Sequence, residues 1–169
     1  GLGHGQTSVF SHTLVERREP SDIWIDVDLS GSMQGTKFIN AMAMAVAVAY
    51  AAEKTRTLNC TVAVRDADGG AAHIAILYDS RRHTFNQLRA VVPYISVAGG
   101  TPEGLCFEAV KDEILSRAKA NVTRYFINLS DGEPGCRFQS KNRHCSYGSQ
   151  PAFDHTRRLM NEFRNAGIK

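Results

Sequence analysis

Apolar residues along this chain fall into two periodicities. Short, nearly unbroken runs at Ile23 to Val27, Cys60 to Val64, His73 to Tyr78 and Arg124 to Leu129 have the length of strands. The first is almost wholly apolar, as a strand covered on both faces should be. Longer stretches carry helical spacing: Thr36 to Lys54, Phe85 to Tyr94, Leu105 to Lys119 and Phe153 to Asn165. The segment Ala41 to Tyr50 is apolar all round, which predicts a first helix buried on most of its sides. Gly167 is a stop signal for the last helix, and Ile168-Lys169 reads as the first step of another strand. The last strand and helix of the domain are therefore expected beyond the end of this sequence.

Between the second and third runs lies Asp66-Ala67-Asp68-Gly69-Gly70, which is turn chemistry. So short a connection implies an antiparallel hairpin at one edge of the sheet. Asp66-x-Asp68-Gly invites a calcium-loop reading, but the remaining ligand positions of such a loop are absent. The element order predicts an α/β fold: a doubly wound, mostly parallel sheet, helices on both faces and one antiparallel edge strand.

Domain organisation follows from the polar stretches. Residues 1–21 read as an N-terminal arm and linker, with an alternating segment at Val9 to Val15 and a charged run, Glu16 to Pro20. Residues 22–169 read as one domain. Within it, 135–151 is a polar, basic stretch, long for a loop, and reads as a solvated insertion. Two other readings stay open there: a zinc site from Cys136, His144, Cys145 and His155, or a disulfide between Cys136 and Cys145.

Composition narrows the function classes. The 169 residues suffice for one domain with a sizeable core. A net charge of +3 argues against a dedicated nucleic-acid binder. No apolar run is long enough to span a bilayer. Four cysteines in a chain this long do not form a disulfide scaffold, so the cytoplasm is the expected compartment. The sequence opens Gly-Leu-Gly-His, without Met, and is expected to be a piece of a longer protein or a processed product.

The chemistry concentrates where strands end. Asp28, Ser30 and Ser32 are spaced by two in a turn after the first run. One carboxylate and two hydroxyls are hard oxygen ligands, suited to a hard divalent cation. The plain alternative is a strand-to-helix turn with a capping serine. Thr101, in Gly99-Gly100-Thr101-Pro102, stands at a helix start, where a simple N-cap is again the alternative. Asp131, in Ser130-Asp131-Gly132, follows the fourth run. Ligands of open α/β sheets sit beyond the C-terminal strand ends, and all five residues fall on that rim.

Asp28-x-Ser30-x-Ser32, the Gly-Gly-Thr101-Pro turn and Asp131-Gly132, in that order, resemble the metal-ion-dependent adhesion site of von Willebrand factor A domains. The likeness covers roughly residues 22–169. Asp28 to Met33, preceded by a charged linker, is most similar to the intracellular bacterial and phage branch, of the cobaltochelatase T-subunit type. The resemblance implies Ser30, Ser32 and Thr101 as direct metal ligands and Asp28 and Asp131 as carboxylates acting through water. It implies Mg²⁺, with Mn²⁺ able to substitute. It also implies a protein partner that supplies Asp or Glu to the open metal position, within an assembly such as a chelatase or an AAA+ complex. The competing function is a metal-assisted hydrolase, which needs a general base near the metal. Glu103 and Glu133 are the acids next to the motifs, and Glu103 has an ordinary reason to sit in a helix's first turn. The expectation is a binding module without catalytic residues.

Overall fold

Strand β1 (Ser21–Asp28) runs through the middle of the main sheet. The chain is seen here in a computed structural model that describes residues 19–140 and 143–169, the side chains at 138–145 excepted. The alternating segment Val9 to Val15 lies outside the described residues. After β1 come α1 (Thr36–Lys54), β2 (Leu58–Asp68), β3 (Ala71–Asp79), α2 (Phe85–Val91), α3 (Glu103–Ser116), β4 (Thr123–Leu129), β5 (Cys136–Ser140), β6 (Arg143–Tyr147) and α4 (Ser149–Asn165).

Among the described residues the main sheet has four strands in the order β3-β2-β1-β4. β1 is parallel to β2 and to β4, and β3 is the antiparallel edge strand. The expected fold class is therefore the observed one. The chain leaves β1 toward β2 on one side and later returns to place β4 on the other. The switch point lies between the C-terminal ends of β1 and β4.

Side-chain alternation along β1 divides the core. Ile25 and Val27 face α1 and α2, packing with Met42, Ala45, Ala49 and Leu88. Trp24 faces the other way, toward Phe107, Ile114, Leu159 and Phe163 of α3 and α4. Phe126 joins that second layer, with ring centroids 4.9 Å from Phe107 and 5.0 Å from Phe163. Truncating Phe126 to Ala would cost about 3–5 kcal/mol, the usual range for a buried aromatic.

Three expectations need correction or sharpening. Helix α1 is not buried on most sides. Met42, Ala45, Ala49 and Ala52 form its buried stripe, while Ile39, Met44 and Tyr50 are exposed. Its uniform apolarity reflects small, helix-favouring alanines as much as burial. The edge hairpin is longer than its apolar core, because β2 continues through Asp66 and Asp68 and the turn is confined to Gly69-Gly70. The stretch 135–151 is not a plain loop. It forms the antiparallel hairpin β5–β6, with Cys136 opposite Tyr147, and then the first turn of α4. The polar residues of these strands concealed them, because hydrophobic periodicity has little to register there.

Beyond α4, Ile168 forms a parallel bridge with Arg124 on the outer edge of β4, as Ile168-Lys169 suggested. Among the described residues no helix is long and apolar enough to cross a membrane.

Candidate metal centre

The end of β1 builds the first half of the centre. Asp28 is fully buried, and both its carboxylate oxygens are engaged. Oδ1 accepts the Ser30 N–H at 2.8 Å and Oδ2 accepts the Ser130 hydroxyl at 2.7 Å. The first bond closes a tight turn that carries the chain into a single 3-10 turn, Gly31–Met33, anchored by the buried Met33 side chain. This turn brings Ser30 Oγ and Ser32 Oγ to 3.0 Å from one another.

The end of β4 builds the second half. Asp131 Oδ1 accepts the Ser32 hydroxyl at 2.7 Å, and its Oδ2 receives the Lys37 ammonium. Lys37 foremost, and then Ser32, hold the Asp131 carboxyl below the usual carboxylate range. Thr101 completes the set. A Cβ placed on Gly132 would stand 3.4 Å from Ser32 Oγ and 3.7 Å from Thr101 Oγ1, so the two hydroxyls flank the same small space. The Gly-Gly dipeptide before Thr101 is a steric requirement. Gly99 has φ 86° and its Cα faces the Ala67 carbonyl, while a side chain on Gly100 would meet Cys136.

All five residues singled out by the sequence therefore meet at the switch point. Asp28, Ser30 and Thr101 are buried, whereas Ser32 and Asp131 face solvent. The donor set suits a hard divalent cation: three neutral hydroxyls, one exposed carboxylate and one buried carboxylate whose lone pairs orient its neighbours. Among the described residues no three His, Cys, Asp or Glu side chains gather as a metal site of another kind. The zinc reading of the hairpin lacks a free His155. Its Nδ1 meets the Tyr147 hydroxyl at 3.2 Å and its Nε2 meets Glu108 Oε2 at 2.9 Å. His144 and Cys145 lie outside the described side chains. Cys136 is a free thiol, and the register sets Cys145 opposite Phe138 rather than opposite Cys136.

Glu103, a candidate base, points into the protein. It is 6 % exposed, accepts a hydrogen bond from Asn128 Nδ2, and stands 3.9 Å from Arg65 Nη2. Burial raises its pKa, against the opposing pull of Arg65 and Asn128. Glu133 is exposed beside the rim.

Two contributors escaped the sequence reading. Ser130 was legible only as the neighbour of Asp131, yet it is the hydroxyl that satisfies Asp28. Lys37 looked like an ordinary first-turn residue of α1.

Among the described residues, a mostly parallel sheet with β1 inside it and helices on both faces is consistent with the α/β fold of a von Willebrand factor A domain. Solved structures share it. The pilus adhesin SpaC of Lactobacillus rhamnosus GG matches 91% of this chain and 24% of its own, with TM-score 0.61 and 16% identity. The manganese-loaded TRAP protein of Plasmodium vivax matches 89% of this chain and 55% of its own, with TM-score 0.58 and 15% identity. The chain thus spans about a quarter of the adhesin and about half of the TRAP structure. No protein-family model and no curated protein sequence matches the chain.

Proposed function

We propose that this chain is a divalent-metal-dependent protein-binding module whose metal captures an acidic side chain of a partner protein. The observation that carries this reading is the meeting of Ser30, Ser32 and Thr101 hydroxyls with Asp28 and Asp131 at the switch point. In this proposal Ser30, Ser32 and Thr101 hold the ion directly, and Asp28 and Asp131 act through water. The ion is Mg²⁺, with Mn²⁺ as a substitute, and the manganese in the TRAP structure supports a divalent ion in this fold. A bound ion would supply an electrophilic position for an incoming carboxylate.

The chain's own residues set the balance of charge. Neutral hydroxyls quench little of a +2 ion, and Lys37 already takes up part of the charge of Asp131. A partner carboxylate therefore finds an underneutralised cation. Arg137, exposed near the base of the hairpin, adds to the attraction and chiefly speeds association.

The hydrolase alternative is weakened because Glu103 is engaged by Asn128 and lies beside Arg65, which leaves Glu133 as the acid near the rim. Placement in a chelatase-like or AAA+ assembly draws on the Asp28 to Met33 motif. The free thiols of Cys60, Cys106 and Cys136 support a reducing, cytoplasmic compartment. The likeness to a pilus adhesin supports a cell-surface setting instead.

The test is titration calorimetry with Mn²⁺ and Mg²⁺, followed by capture on immobilised poly-glutamate with and without EDTA. The wild type should show one metal site and EDTA-sensitive capture, and Asp28→Ala should lose both with its fold intact. Equal metal affinity in Asp28→Ala and wild type would refute the assignment.

A further inference from the structure

The β5–β6 hairpin touches the metal centre at one backbone position. Thr101 N–H donates to the Gly135 carbonyl at 2.7 Å, and Gly135 N–H donates back to the Thr101 carbonyl at 2.8 Å. One residue earlier, Gly100 N–H donates to the Ala67 carbonyl at 3.0 Å. The Thr101 loop is thus held between the end of β2 on one side and the base of the hairpin on the other. Gly135 lies only four residues after Asp131, so one short segment carries both the Asp131 carboxylate and the backbone partner of Thr101.

What holds Gly135 is the closing pair of the hairpin, Cys136 and Tyr147. Tyr147 in turn is lodged against α3. Its hydroxyl crowds the place a Cβ on Gly104 would take, so a side chain there would have to displace the phenol. The same hydroxyl reaches His155 Nδ1 at 3.2 Å, with the two rings edge to face and their centroids 5.9 Å apart. His155 Nε2 reaches Glu108 Oε2 at 2.9 Å, back on α3. If the imidazole carries its proton on Nε2, both contacts are satisfied: Tyr147 donates to Nδ1 and Nε2–H donates to Glu108. The circuit is closed. It runs from Thr101 into α3, through Glu108 to His155 on α4, across to Tyr147 on β6, and back through the hairpin base to Thr101.

We propose that the β5–β6 hairpin is a clamp that fixes Thr101 beside the metal centre before any partner arrives, and that Tyr147 is its positioning residue. A threonine on a free loop would have to be ordered at each binding event. Here the ordering is done when the domain folds, which is the general advantage of preorganisation. Tyr147 touches none of the five oxygen-bearing residues and acts through Gly135 and Thr101.

Hydrogen exchange in metal-free protein reads the clamp directly. The Thr101 and Gly135 amides should be protected in the wild type. In Tyr147→Ala they should exchange at least about tenfold faster, with the Ile25 amide of the central strand unchanged. Gly104→Ala should do the same by displacing the phenol and the His155 ring beside it, and Tyr147→Phe, which keeps the ring against α3 but gives up the bond to His155, should fall between the wild type and Tyr147→Ala. This pair keeps the test decisive if Tyr147→Ala does not fold. The consequence for metal binding rests on the function proposed above. Tyr147→Ala should weaken Mn²⁺ as much as Thr101→Ala does, and the double variant should be no weaker than Thr101→Ala alone. Unchanged protection in Tyr147→Ala, or additive losses of Mn²⁺ affinity, would overturn the clamp. Protected amides in a wild type that binds no Mn²⁺ would instead overturn the metal reading and leave the clamp standing.

Discussion

Asp26 and Asp28 stand two residues apart on β1 and on the same face of the sheet, yet they sit in opposite kinds of polar surroundings. Asp28, at the strand's end, has both oxygens satisfied by neutral donors, the N–H of Ser30 two residues on and the hydroxyl of Ser130 just past the end of β4. Asp26, one layer deeper, is fully buried and relies on one charged partner, the equally buried Arg65 of β2. Its Oδ2 has no hydrogen-bond partner among the described residues, and neither do Arg65 Nε, Arg65 Nη2 and Asn128 Oδ1. Burial pushes the Asp26 carboxyl above its ordinary value, with Arg65 pulling the other way. Burial also works against the Arg65 charge, but Asp26, Glu103 and Asp28 outweigh it and hold the guanidinium protonated. The guanidinium further lies 5.2 Å from the centroid of Phe107. The difference teaches where a carboxylate can do chemistry. At a strand end, free backbone N–H groups and turn hydroxyls can satisfy it cheaply. In mid-strand the backbone is committed to the sheet, and only another buried charge can answer it.

The largest expected effect breaks the deeper region. Arg65→Met leaves Asp26 buried without a counter-charge and should cost about 3–5 kcal/mol in urea denaturation. Adding Asp26→Leu should recover most of that loss, because an apolar pair of similar volume is often as stable as a buried ion pair. A single-variant loss below about 1 kcal/mol would mean that the cluster is better hydrated than its burial implies.

A smaller effect is expected at the rim, and of a different kind. Ser130→Ala removes one of the two donors that orient Asp28. It should cost only about 1 kcal/mol of stability. It should nevertheless weaken Mn²⁺ about tenfold, as loss of an outer hydrogen bond does at metal sites. The contrast sharpens if Arg65→Met, in its folded fraction, still binds Mn²⁺ more tightly than Ser130→Ala does.

The smallest effect lies on the surface between α3 and α4. Arg158, and after it His155, hold the Glu108 carboxyl below its ordinary 4.5. A carboxylate with a lowered folded pKa stabilises above its unfolded value, and that contribution is lost as pH falls through the folded one. Glu108→Gln should therefore flatten the decline of melting temperature below pH 4.5, by about 1–2 °C, since the group is largely exposed. A decline as steep as the wild type's would show that the Glu108 pairing adds nothing in solution.

Much of the rim could be read without a structure, because each of its parts is local. Asp28, Ser30 and Ser32 are spaced so that one turn gathers them, Gly99-Gly100 marks a turn that leads Thr101 into a helix start, and Asp131 follows an apolar strand. The α/β class was legible for the same reason, since alternating strand and helix patterns are properties of short windows. What escaped was non-local. Asp26 interrupts one apolar run and Arg65 follows another, and only parallel pairing brings them together with Glu103 and Asn128. Nor does Lys37 declare itself, because its partner Asp131 is 94 positions away.

The hairpin shows the same boundary. Its sequence is polar, so hydrophobic periodicity had nothing to register there. The backbone pairs with Thr101, and the lodging of Tyr147 over Gly104, exist only once α3 and α4 have packed on the sheet. Spacing along the chain determined which side chains could share a turn. Tertiary packing decided which turns would share a site, because contacts between distant segments depend on the register of strands and the seating of helices, which no short window contains.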